Sequence, residues 1–156
     1  MMHGQADLLN GLTPDEAEGT LALGLRQTLS NGQQLFLLGA QADSLYLIQR
    51  GRIRLTLPMQ VRGREEDILV EERAPGETVG WSALIPPYKF TLTATVPLET
   101  EVIALSREAL RDHFASHPDI GYQVSLNLAA VIGHRLQQFQ AMWLREMQRT
   151  VELRYA

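Results

Sequence analysis

Between Pro75 and Lys89 the chain reads PGETVGWSALIPPYK. Gly76 and Gly80 stand four apart, a short apolar run follows, and the segment ends on two prolines and the only lysine of the sequence. Such a stretch has the means to hold an anion. Glycine lets backbone approach a ligand closely, and free N–H groups at the start of a helical turn favour negative charge. The candidate ligand-binding residues are Gly80, Trp81, Ser82, Ala83, Lys89, Phe90 and Thr91. Trp81 offers a flat face for stacking, and Lys89 a point charge for an anionic group. The same residues also suit three plainer roles: Trp81 as core filler, Lys89 as a solvated surface residue, and IPPY as a rigid lip against a protein partner.

Other reactive side chains are sparse. His113 and His117 are four apart on one predicted helix and could share a face, but neither His3 nor His134 supplies an obvious third ligand, so no metal site is expected. REED (Arg64 to Asp67) pairs acids in what reads as a charged hairpin loop, a solvated tip. No nucleophile elbow, phosphate-binding Walker loop or His–Asp constellation occurs, so no catalytic residues are assigned. The chain has no cysteine, which removes disulfides, thiolate catalysis and cysteine-bound metals and fits a reducing cytoplasm. A net charge of −4 argues against a dedicated nucleic-acid binder. No apolar run approaches the ~20 residues of a membrane helix, and MMHGQADLLNGL has no signal-peptide pattern.

These residues need elements to position them. Residues 1 to 12 read as a loose polar tail. Thr13 caps a short helix with Pro14 at its first position and acids in its first turn, and Gly19 is expected to end it. From Leu25 to Leu105 the apolar period is two. LRQTL, LYLIQ, RIRLTL, ILVEERA, FTLTATV and ETEVIAL are broken by glycine and proline, with Gly51 suited to a tight hairpin turn. Six to eight short strands point to an all-β sandwich or barrel. After Ser106 the period becomes 3.6. A short helix carries Leu110 and Phe114, then Pro118 opens a long one. Its stripe runs through Ile120, Val124, Leu128, Val131, Leu136, Phe139, Trp143 and Met147. A helix that apolar needs more than one neighbour: the β core, and potentially a second copy of itself. The predicted organisation is one domain, with residues 1–24 as tail and short helix, 25–106 as the β core and 107–156 as C-terminal helices.

In this order the elements resemble the cyclic nucleotide-binding domain, as in the catabolite-activator type of bacterial regulator. The resemblance rests on NGQQLFLLGAQADSLYLIQRGRIRL, APGETVGWSAL, TLTATVPLETEVIALSREAL and the final helix, with glycines at 32, 39, 51, 76 and 80. It implies a mainly β fold with flanking helices: a double-stranded β-helix (a jelly-roll-like β-roll), then a short helix and a long C-terminal one. In the family, a glycine and a glutamate open the phosphate cassette and an arginine about ten residues on pairs with the phosphate. Here Gly80 matches the glycine, Trp81 stands in the glutamate's place, and Phe90 in the arginine's, with no arginine between Arg73 and Arg107. Each charge-assisted hydrogen bond is worth about 1.5–3 kcal/mol, so cAMP or cGMP bound in the family's usual manner is not expected.

The functional expectation is a non-catalytic, cytoplasmic sensor or regulatory module. It takes a small, anionic, nucleotide-like ligand, has no resident cofactor, and signals through its long C-terminal helix, through which it forms a homodimer. The alternative is an interaction scaffold with a vestigial pocket and a protein partner; a cupin-type enzyme would require a metal. The sequence ends at Ala156, a few residues past the long helix, so a winged helix-turn-helix is not expected and neither is direct DNA binding.

Overall fold

The structure, a computed structural model, describes residues 6–156. Its strands are β1 (Leu25–Leu29), β2 (Gln34–Phe36), β3 (Ser44–Arg50), β4 (Ile53–Val61), β5 (Arg64–Arg73), β6 (Thr78–Val79), β7 (Thr93–Thr95) and β8 (Thr100–Ser106). They form two antiparallel sheets of four, in the orders β1-β8-β3-β6 and β2-β7-β4-β5. Consecutive strands thus alternate between sheets at several points, as a β-roll requires. Leu45, Leu47 and Ile48 of β3, Ile53 and Leu55 of β4, and Val102, Ile103 and Leu105 of β8 are almost wholly buried. Burying one such side chain stabilises by about 1.5–3 kcal/mol before chain entropy is counted.

The β3–β4 turn depends on Gly51, whose φ is 92°. A Cβ there would lie 2.3 Å from Thr100 Oγ1 and 2.8 Å from the Glu99 carbonyl oxygen, so only glycine fits. REED, expected as the solvated tip of a charged hairpin loop, is strand instead: Val61 pairs with Arg64, and only Arg62 (φ 51°) and Gly63 (φ 79°) turn. Two successive positive φ angles make a tight turn whose twist matches the strands, so pairing persists to the tip.

The first helix, α1 (Pro14–Leu21), has the capping box expected of Thr13: Thr13 Oγ1 accepts from Glu16 N at 3.2 Å and Glu16 Oε1 accepts from Thr13 N at 2.9 Å. It does not stop at Gly19. Thr20 and Leu21 are buried and carry the helix two residues further, because packing outweighs the modest cost of an internal glycine. The expected loose tail is also revised. Residues 1–5, with His3, lie outside the described part, but Asp7–Leu9 form a 3-10 turn with Leu8 and Leu9 buried. Asn127 donates through Nδ2 to the Leu8 and Asn10 carbonyls at 2.8 and 2.7 Å. A polar sequence hid two anchoring leucines.

Ser106 caps α2 (Arg107–Ser116) by accepting from Ala109 N at 3.1 Å. The long helix α3 (Pro118–Arg154) has 37 residues, about 55 Å at 1.5 Å per residue. Ile120, Val124 and Leu128 are buried where α3 packs on the N-terminal 3-10 turn and α2, whereas every residue from Leu136 onward is exposed.

At the α2–α3 corner the rings of His113 and His117 lie 4.5 Å apart. His117 falls beyond the end of α2, and no group of three potential metal ligands occurs among the described residues. Burial lowers the His113 pKa below its ordinary 6.5, and His117 adds to the shift. Neutral His113 is therefore favoured in the folded state. Its contribution to stability is complete above pH 6.5 and falls away below that value, across the window down to its lowered folded pKa. Thermal melts at pH 7.5 and 5.5 should show a fall in melting temperature that His113→Gln reduces.

Candidate functional site

The cassette predicted to carry function forms where β6 leaves its sheet. Gly80, at φ 80° and ψ 31°, turns the chain into a short 3-10 helix, Trp81–Leu84. Its turn is closed by Ala83 N donating to Gly80 O at 3.0 Å and Ile85 N donating to Ser82 O at 3.2 Å. A Cβ on Gly80 would meet Phe90 Cε1 at 3.2 Å and Phe36 Cε2 at 3.5 Å, so glycine serves both the backbone angle and the close approach of two rings.

Beyond the turn, IPPY bends back over the roll. Ala42 N donates to Tyr88 O at 2.7 Å, and Phe90 N donates to Ala40 O at 3.0 Å. The Tyr88 ring lies under the Arg107 guanidinium, 4.0 Å from Cζ to centroid, and its hydroxyl is hydrogen-bonded by Arg111. Arg107 Nη1 also donates to the Ala42 and Ala83 carbonyls at 2.7 and 2.9 Å. The first residue of α2 therefore grips both ends of the cassette.

Gly80, Trp81, Ser82, Phe90 and Thr91 line one cavity, with Phe36, Leu55, Leu92 and Arg135. Ala83 is buried behind the turn. Lys89 is exposed, bridges by backbone to Gln41, and does not line the cavity. The cavity measures about 10 Å³, room for roughly one water, whereas drug-sized ligands occupy ~300–1,000 Å³. Phe36 and Phe90 take most of the space, stacked at 3.8 Å and 9° and both largely buried. Trp81 is half-buried at the rim.

Arg135 is the charged residue in that lining, and it comes from α3. It is 9% exposed. Its Nη2 lies 3.0 Å from Glu71 Oε2. This is an ion pair rather than an aligned hydrogen bond, because Glu71 Oε2 has no donor in hydrogen-bonding geometry. Desolvation lowers the Arg135 pKa from its ordinary value; Glu71 opposes the shift and Arg73 reinforces it. Glu71 Oε1 accepts from Arg73 Nη1 at 2.8 Å. Arg73 in turn pairs with Glu77 Oε2 at 3.0 Å and Asp7 Oδ2 at 3.3 Å. Asp7 is fixed by Thr78, accepting from its Oγ1 at 2.6 Å and its N at 3.0 Å. One charge ladder, Asp7–Arg73–Glu71–Arg135, thus ties the N-terminal turn and β5 to α3.

None of that ladder was assigned from sequence. A signal for Arg135 did exist: the α3 stripe steps by five from Val131 to Leu136, and Arg135 sits at the four-residue step between them. Phe36, Glu71 and Asp7 had no comparable mark, since each reads as an ordinary strand or surface residue.

A two-sheet roll with a glycine-opened cassette and a long C-terminal helix along the same cavity is the arrangement of a ligand-binding domain. The chain belongs to the cyclic nucleotide-binding domain family, whose profile matches residues 26–117. The Cyclic AMP receptor protein of Thermus thermophilus is 28% identical over 131 residues, 84% of this chain and 57% of that protein. The Glutaminase 2 of Bradyrhizobium diazoefficiens is 28% identical over 135 residues, 85% of this chain but 20% of that protein. The crystal structure of the Thermus thermophilus Catabolite Activator Protein superposes with a TM-score of 0.76 at 27% identity, covering 91% of this chain and 63% of that one. This chain therefore spans at most 57% of either curated relative. No helix among the described residues is long and apolar enough to cross a membrane.

Proposed function

We propose that this chain is a non-catalytic regulatory module in which the seat beside Gly80 reads a small anionic ligand and α3 carries the response outward. One observation supports this above others: the cassette and α3 wall the same cavity, through Gly80–Ser82 on one side and Arg135 on the other. Any change in what fills that space bears directly on the helix. The family usually supplies a carboxylate and an arginine at the positions of Trp81 and Phe90, so the ligand differs from cAMP or is held differently. In the closed form described here the seat is filled by the protein's own rings, and a ligand enters only when Trp81 and the Phe36–Phe90 pair shift.

The outer half of α3 fits a second copy of the chain. Phe139, Met142, Trp143 and Met147 recur at three- and four-residue steps and are all substantially exposed, which is the pattern of a helix–helix seam. We assign no DNA contact to this chain, whose net charge is −4, and place the module in a reducing cytoplasm. Size-exclusion chromatography with light scattering should give a dimer at micromolar concentration that Trp143→Glu dissociates. A monomer at high micromolar concentration defeats the dimer.

The Phe36–Phe90 stack favours a second reading, an interaction scaffold whose seat is permanently closed. A thermal-shift panel of cyclic mono- and dinucleotides separates the two. A dose-dependent rise in melting temperature that Trp81→Ala abolishes supports the sensor; no response at millimolar concentration supports the scaffold.

A further inference from the structure

Lys89, the cation expected to meet an anionic ligand, lies outside the cavity. Phe90 occupies one flank of the seat and carries no charge. The charge available there is Arg135, nine-tenths buried and held by one imperfect ion pair to Glu71. Burying a guanidinium is costly unless its donors are matched, and a guanidinium carries five of them. That burial lowers the Arg135 pKa despite Glu71 is consistent with an under-compensated cation.

Glu71 is placed to let go. It shares its other oxygen with Arg73, at 2.8 Å, so it keeps a partner when Arg135 turns away. Among the described residues Arg135 has no second ion-pair partner. The two residues are therefore unequal: one can leave the pair at small cost, the other needs a replacement.

We propose that Arg135 is the anion receptor of this seat, and that Glu71 is the internal anion holding it in the closed form. The inference rests on reading Gly80–Thr91 as a ligand seat, and it names the chemistry of the ligand: an oxyanion, phosphate above all, presented beside Trp81. Two parallel N–H···O bonds from the guanidinium receive it. Glu71 then relaxes onto Arg73, and α3 exchanges its tie to β5 for a tie to the ligand. Competition with Glu71 and closure by the aromatic rings both weaken the apparent affinity, since only the fraction of open, unpaired molecules binds.

The test uses the full chain with cAMP and cyclic di-GMP as probes, titrated by calorimetry into wild type, Glu71→Gln, Arg135→Gln and Arg135→Lys. Expected are tightening of about tenfold in Glu71→Gln and weakening of about 30-fold or more in Arg135→Gln. Arg135→Lys, which keeps the charge and the pair to Glu71 but loses the fork, falls between them. Should Arg135→Gln fail to fold, the wild-type protein still decides. The Arg135 Nε–Hε NMR resonance, identified by its absence in Arg135→Lys, shifts when the probe saturates the seat. Binding that survives Arg135→Gln within twofold, or saturation that leaves the resonance unmoved, overturns the role of Arg135 and leaves the seat intact. Failure of both wild type and Glu71→Gln to bind either probe at millimolar concentration overturns the seat and the inference together.

Discussion

Phe90→Ala is expected to destabilise the protein by about 3–5 kcal/mol, the range for removing a buried phenylalanine. The loss combines the transfer term with a void that the site has little means of closing. Phe90 packs at 3.8 Å on Phe36, which is itself buried, and against Gly80, whose left-handed φ of 80° restricts backbone relaxation. The parallel stack adds about 0.5–1.5 kcal/mol beyond area burial. Urea unfolding followed by far-UV circular dichroism measures the change, and a loss below 1 kcal/mol would show that the cavity collapses or that the ring is not held as described. The same variant enlarges the seat. If the sensor reading is right, a ligand detected with wild type should bind more tightly to Phe90→Ala once stability is matched, because the ring no longer has to move.

Glu71→Ala should cost about 3 kcal/mol, and for a different reason. Removing the shared anion leaves Arg135 buried without a partner, and Arg73 with only Asp7 and Glu77. A buried pair broken on one side is strongly destabilising, whereas removing both charges is often close to neutral. Adding Arg135→Met to Glu71→Ala should accordingly recover part of the loss, about 1–2 kcal/mol. A double-mutant cycle measured by chemical denaturation gives the coupling directly. Additive effects of the two substitutions would mean that the Glu71–Arg135 contact does not tie α3 to the roll. Asp7→Asn probes the far end of the ladder, where the cost is lessened because Thr78 retains a partner in the amide oxygen.

The stability contrast between these residues mirrors how visible they were in sequence. Phe90 could be aligned to the cassette because it follows a glycine at a fixed spacing, yet its packing partner Phe36 lies 54 positions earlier, at the end of β2. Glu71 sits in ILVEERA, which reads from sequence only as a strand; its partner Arg135 comes from α3, 64 positions later. Asp7 was assigned to a loose tail, but Leu8 and Leu9 anchor the segment and bring its carboxylate to Arg73. The strand ladder was read a few residues short at Val61–Asp67 because the charge of those residues masked their pairing.

Local physics was enough for much of this protein. Period-two alternation, glycines at positive φ, the Thr13 and Ser106 caps and the return to period 3.6 after Ser106 are all short-range signals, and each implies its element without reference to the rest of the chain. Together they pointed to an all-β sandwich or barrel followed by two C-terminal helices, and the resemblance to the cyclic nucleotide-binding domain made it a roll and placed the cassette. The tertiary structure decided what the cassette encloses. Phe36 from β2 and Phe90 from the loop after the 3-10 turn fill the seat, with Trp81 at its rim, and Arg135 enters it from α3, a helix whose charge at that step looks like any break in an apolar stripe. The Phe36–Phe90 stack joins residues 54 positions apart and the Glu71–Arg135 pair residues 64 apart, and only burial, which removes water as the competing partner, turns such distant side chains into a site.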